Sequence, residues 1–167
     1  MSPFVPPSAP HTLTSLQGLR AAGIAAGIKP SGNPDLALLV ASEPMACAGV
    51  FTQNKLAAAP VLLSREHLSR GGGLVRAVVV NSGNANACTG LEGADHARRM
   101  ARRVADALGC PQEQVLVAST GVIGVKLPIE RVLSGIDRAL DTLSTTPRGR
   151  ARFPTRHPDY GCIVQGS

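Results

Sequence analysis

The sequence predicts an α/β domain, and three observations predict it. Val75–Val80 is a valine-rich run of strand length, and Val115–Ala118 is a second. Each feeds a loop dense in Asn, Ser, Thr or Gly. Each loop is followed by a stretch whose apolar residues recur at helical spacing: Ala97, Met100, Ala101, Val104 and Leu108 in one, Ile129, Val132, Leu133, Ile136, Leu140 and Leu143 in the other. Strand, loop and helix repeated in this order are the units of a sheet covered by helices.

Composition agrees. A chain of 167 residues with 44 % hydrophobic residues is long enough to bury one core. Aromatics are 2 % and Trp is absent, so that core is aliphatic, with 18 Gly allowing close backbone approach. The net charge of +6 raises a nucleic-acid reading. It is disfavoured, because Arg98, Arg99, Arg102 and Arg103 read as the solvated face of one helix, Arg148, Arg150, Arg152 and Arg156 cluster near the C-terminus, and no aromatic platform exists for base stacking. Cys47, Cys88, Cys110 and Cys162 form no CxxC pair, and His11, His67, His96 and His157 no HxxxH spacing, so neither a metal site nor a disulfide framework is predicted. Free thiols fit a reducing compartment. The Pro- and Ser-rich start has no signal-peptide pattern, and every apolar run is broken too soon to span a bilayer. A soluble cytoplasmic protein without membrane contact is expected.

Taken in order, residues 1–18 read as a flexible tail. Leu19–Lys29, with Gly23 and Gly27, reads as a strand or extended segment packed closely on another backbone. Pro30–Pro34 is a turn. Asp35–Ala41 and Cys47–Thr52, separated by Glu43-Pro44, predict an antiparallel hairpin. Val61–Leu68 predicts a strand followed by a short helix, punctuated by Gly71-Gly72-Gly73. Val75–Val80 predicts a strand buried on both faces. A helix over Glu92–Leu108 is expected to stop at Gly109, and Pro128 to stand in the first turn of the last helix. From Thr146 onward periodicity vanishes.

Two stretches carry candidate chemistry. Asn81–Gly90 places Asn81, Asn84, Asn86, Ser82 and Thr89 directly after a predicted strand. Such a loop can be a plain connection, can bind a carboxylate without carrying charge, or can brace a neighbouring segment. Ser119–Gly124 follows the second strand. Gly121 and Gly124 allow main-chain N–H groups to face a cleft and Thr120 adds a hydroxyl, the donors an oxyanion hole needs for acyl transfer. The pattern is not a phosphate loop, since no GKS or GKT ending is present. Within the chain no nucleophile stands out: there is no G-x-S-x-G elbow, Cys88 reads as a buried structural thiol, and His96 as a surface or packing histidine.

These stretches, together with Ala22–Lys29, Ala48–Asn54 and Ala58–Val61, resemble the glutamate/ornithine N-acetyltransferase (ArgJ) family in five motifs and in their order. The resemblance covers residues 19–155 and implies the N-terminal half of a layered α/β sandwich of the self-cleaving ornithine acetyltransferase and DmpA-like type. It implies a precursor that cleaves itself into α and β segments, assembling as an α/β heterotetramer. A Thr exposed at the start of β takes acetyl from N-acetylornithine and passes it to glutamate. Its own α-amine serves as the nearby base. By resemblance, Thr120 and Gly121 form the oxyanion hole and Thr155 binds substrate. No metal or bound cofactor is implied, and acetyl-CoA is a co-substrate in some members. From Arg156 to Ser167 the similarity stops, as a truncation or frameshift would leave it, so the 167 residues alone are expected to be inactive. Two alternatives remain: the α segment of a related self-processing aminopeptidase with an N-terminal nucleophile, or a non-catalytic binding domain.

Overall fold

The computed structural model describes residues 16–143. Four strands, β1 (Leu19–Ile24), β2 (Leu36–Ala46), β3 (Leu74–Asn84) and β4 (Val115–Val122), form one sheet in the order β1-β2-β3-β4. The first three pair antiparallel, and β4 runs parallel to β3. Helices α1 (Ala59–Arg70), α2 (Gly90–Leu108) and α3 (Ile129–Asp141) complete it, with α2 making the crossover from β3 to β4. The predicted α/β class is what the chain adopts.

Alternation along the strands builds the core. Val75, Ala77 and Val79 of β3 and Val115 and Val117 of β4 are buried. All but Val75 join Ala97, Met100, Ala101 and Val104 of α2 and Val132, Ile136 and Ala139 of α3 in one aliphatic cluster. The alanines on α2 let that helix lie close to the sheet, which compensates for the scarcity of aromatic volume. Gly109 ends α2 in a left-handed conformation (φ 62°), its N–H donating to Ala105 O, and Pro128 immediately precedes α3. Outside the core, Arg103 pairs with both Asp137 oxygens at 2.6 and 2.7 Å and Arg99 with Glu130 at 2.6 Å, so two of the predicted solvated arginines tie α2 to α3. The Asp137 hydrogen bond and charge raise the Arg103 pKa further above its ordinary value.

Three local expectations are corrected. The predicted hairpin across Glu43-Pro44 does not form: β2 is a single strand through Ala46, and Cys47–Thr52 is not part of the sheet. Its register against β3 jumps between Val40 and Met45, so Pro44, which has no N–H to give, sits where the ladder is already interrupted. The hairpin of this region is β1–β2. Secondly, Ala59–Arg70 is helical throughout, with Pro60 in its first turn, where a missing N–H is harmless. Thirdly, β3 is buried on one face only. Val78 and Val80 are half-buried, as are Leu39, Leu116 and Ala118 on the flanking strands.

α1 lies along the outer edge of β4 and runs antiparallel to it. Ser64 Oγ donates to Val117 O at 2.7 Å and accepts from Val117 N–H at 2.9 Å, and one turn later His67 Nδ1 lies 2.8 Å from Val115 O. Both side chains are buried. Edge strands need their unpaired backbone groups covered, and here two polar side chains on a helix do it. Ser64→Ala strands a buried N–H and C=O together and is expected to cost about 2–3 kcal/mol. Urea denaturation measures this, and a loss under 0.5 kcal/mol, the ordinary surface range, would contradict the capping role.

Candidate functional site

The two candidate stretches are paired strand ends before they are loops. β3 extends through Asn84 and β4 through Val122, in parallel register: Asn81 with Ser119, Ser82 with Thr120, Gly83 with Gly121, Asn84 with Val122. The connection between β1 and β2 lies at the same end, because Leu36, where β2 starts, pairs with Asn81.

The three asparagine side chains are buried at 0, 4 and 0 % exposure, and their amides are engaged within the chain. Asn81 Nδ2 donates to Asn84 O at 2.8 Å, and its Oδ1 accepts from Ser119 Oγ at 2.5 Å. Asn84 Nδ2 donates to Val125 O and Lys126 O, and its Oδ1 accepts from Asn86 N–H. Asn86 Nδ2 donates to Gly93 O at 2.8 Å, and its Oδ1 accepts from Thr89 Oγ1 at 2.9 Å. Of the three readings of this loop, bracing is the one the geometry supports. The amides join β3, the start of α2 and the segment after β4 into one buried polar network. Asn86 and Cys88 adopt positive φ (46° and 57°) to make the turn. That turn leaves Cys88 exposed, contrary to the buried thiol expected, whereas His96 is buried in α2. Half-buried Cys110 has its thiol pKa raised by burial, which disfavours the reactive thiolate.

Parity along β4 decides which donors are free. Val117 N–H and C=O both meet Ser64 and so face away from β3. Alternate residues of a strand direct their backbone groups to the same side. The N–H of Gly121 therefore also faces outward, on the part of the edge beyond Ser64, while the Thr120 main chain faces β3. Thr120 offers its hydroxyl instead, and both residues are exposed. Gly124 does not contribute as expected: its N–H donates to Ala87 O at 2.9 Å. Of the predicted site residues, Thr120 and Gly121 stand side by side. Thr155 lies outside the described residues.

A sequence profile of the ArgJ family matches residues 20–155. The chain belongs to that family. Its relatives include the arginine biosynthesis bifunctional protein ArgJ of Streptomyces avermitilis, 53 % identical over 80 % of this chain and 34 % of the relative, and that of Parasynechococcus marenigrum, 50 % identical over 80 % and 33 %. The chain thus spans about a third of the length of the curated relatives it matches. Among solved structures it resembles ArgJ from Bacillus halodurans, with a TM-score of 0.78, 38 % identity and coverage of 83 % of this chain and 71 % of that one. It also resembles the ornithine acetyltransferase of Mycobacterium tuberculosis complexed with ornithine, with a TM-score of 0.77, 43 % identity and coverage of 81 % and 72 %.

One feature of this ArgJ chain had no signal in the sequence. Asp35 is buried at 3 % exposure, and its carboxylate accepts three main-chain N–H groups: Ala26 at 2.6 Å, Ile28 at 2.7 Å and Lys29 at 2.8 Å. From the other side, Arg131 donates to Gly27 O at 2.9 Å and Arg138 to Ala25 O at 3.0 Å. The β1–β2 connection is therefore clamped through both its donors and its acceptors. Asp35 O also accepts from Ser82 N–H at 2.8 Å, joining the clamp to β3 at the site. A cavity of about 290 Å³ between α2 and α3, lined by Arg103, Glu130, Leu133, Ser134 and Asp137, has its charges already paired. Among the described residues no group of three or more His, Cys, Asp or Glu is placed to hold a metal ion, and no helix is long and apolar enough to cross a membrane.

Proposed function

We propose that this chain is the α segment of an ornithine acetyltransferase of arginine biosynthesis, supplying the oxyanion hole. The Thr120 hydroxyl and the Gly121 N–H stabilise the negative oxygen formed when a nucleophile attacks the acetyl carbonyl. The observation that carries this is the pair of adjacent donors, one side chain and one main chain, exposed on a strand end that the asparagine network immobilises. Donors fixed before the charge develops need no reorganisation during reaction, which is what makes such a site effective.

The nucleophile in this reading is a Thr at the N-terminus of a β segment released by self-cleavage of the precursor. It receives acetyl from N-acetylornithine and delivers it to glutamate, with acetyl-CoA as an alternative donor and no metal or bound cofactor. Thr155 contributes to substrate binding. An α/β heterotetramer in the cytoplasm is the assembly proposed. The half-buried sheet face of Leu39, Val78, Val80, Leu116 and Ala118 supports the partner segment, since apolar area of this kind gains free energy when covered. Thr120 stands two residues beyond Ala118 and so points to that same face.

The test is acetyl transfer from N-acetylornithine to glutamate by this chain assembled with the C-terminal segment of the Streptomyces avermitilis relative. The assembly is expected to be active and the 167-residue polypeptide alone inactive. Thr120→Val is expected to lower kcat by about a hundredfold with little change in KM. A Thr120→Val assembly with full kcat would remove the hydroxyl from the oxyanion hole.

A further inference from the structure

We infer that Lys29 is a carboxylate-recognition residue of this site, reading the α-carboxylate of an amino-acid substrate; the inference rests on the acetyltransferase reading above. The substrates proposed there carry a carboxylate, and a cation beside the strand end would complement it. The asparagine amides do not, because all three are buried and bonded within the chain. Lys126, whose carbonyl accepts from Asn84 beside the site, has its ammonium 2.9 Å from Glu92.

Lys29 is placed differently. Its stem lies against Gly83, where a β-carbon would sit 2.9 Å from Lys29 Cγ, and Gly83 is the register partner of Gly121. Two further methylenes and the ammonium extend beyond that contact. The Lys29 side chain is half-buried and has no acidic partner within ion-pair distance among the described residues. Its backbone is held by the Asp35 carboxylate, and the residues before it by Arg131 and Arg138, contacts 104 and 113 residues apart in sequence. A buried carboxylate and two guanidiniums thus immobilise a short connection whose charged side chain has no acidic partner among the described residues. Fixing the base of a flexible side chain lowers the entropy lost when it binds, which suits a recognition contact. A lysine suits a carboxylate approached from varied directions, as a point charge with three donors.

The test compares Lys29→Met and Lys29→Arg in the assembled enzyme. With N-acetylornithine as donor and glutamate as acceptor, Lys29→Met is expected to raise KM about tenfold for one of the two and to leave kcat within about twofold, with Lys29→Arg restoring most of the loss. Which KM rises assigns the carboxylate to donor or acceptor. With an N-acetyl diamine, which keeps the amide and lacks the carboxylate, the KM penalty for the donor is expected to vanish if the donor is the one read. No KM change for either substrate overturns the inference, as does a donor penalty that persists with the N-acetyl diamine. Equal melting midpoints for the variant and the parent exclude a folding defect. If the parent assembly transfers no acetyl group, the acetyltransferase reading fails, and binding decides the Lys29 inference. The Lys29 ammonium resonance of the 167-residue chain is then expected to shift on titration with glutamate or N-acetylornithine and not with an aliphatic diamine. No shift with either amino acid overturns it.

Discussion

Gly121→Ala is expected to destabilise the chain by roughly 3–5 kcal/mol, and to abolish the function of the strand end even where the rest of the fold survives. A β-carbon at Gly121 would lie 2.4 Å from Gly83 C, 2.5 Å from Asn84 N and 2.7 Å from Gly83 O. All three are backbone atoms of the paired strand, so no side-chain rotation relieves the contact. Separating the strands would break the register that places Thr120 opposite Ser82 and strain the Asn81–Ser119 hydrogen bond beside it. The φ of 132° adds a second penalty for any residue with a β-carbon. Gly124→Ala is the control. Gly124 also has a positive φ (78°), but nothing lies within 4 Å of its would-be β-carbon, so only the conformational cost of about 1–2 kcal/mol remains. Chemical denaturation of the two variants side by side gives the contrast. Equal losses would mean that strand contact at Gly121 is not what matters.

Asp35→Ala is expected to cost about 3–5 kcal/mol, because it leaves the buried N–H of Ala26 and the partly buried N–H groups of Ile28 and Lys29 without their acceptor. Asp35→Asn should lie between Ala and the parent, since one amide oxygen can serve one or two of the three donors while the –NH2 faces the others. Amide hydrogen exchange localises the effect: residues 26, 28 and 29 are expected to lose protection in Asp35→Ala while the centre of α2 keeps it. Uniform loss of protection would show instead that Asp35 supports the whole fold and not this connection. The clamp holds Lys29 against Gly83, so the same variant also tests how strongly the site depends on a residue distant from the oxyanion donors.

The asparagine-rich stretch shows where sequence reading reached and where it stopped. The residue types identified the family and marked a polar strand end, but binding and bracing call for the same amides. What separated them was burial and the identity of the acceptors, Asn84 O, Val125 O, Lys126 O and Gly93 O, up to 42 residues away. In sequence, Gly121 and Gly124 are equivalent permissive residues. Strand parity left the first with an outward N–H and tied the second to Ala87. Asp35 gave no sign at all, since its partners are main-chain N–H groups that every residue type possesses.

The sequence by itself determined the α/β class, the two strand–helix units, the stop of α2 at Gly109, the start of the last helix at Pro128, and the family motifs. These follow from periodicity and backbone permission, which are local properties of neighbouring residues. Tertiary structure decided that Ala59–Arg70 is one helix, that β2 continues through Pro44, and that the asparagines brace. In each case the deciding partner is distant along the chain: β4 for α1, β3 for β2, and Ser119, α2 and the segment after β4 for the amides. Local preference is worth tenths of a kcal/mol per residue, whereas leaving a buried donor or acceptor unpaired costs about 1–3 kcal/mol, so where the two conflict the long-range partner prevails.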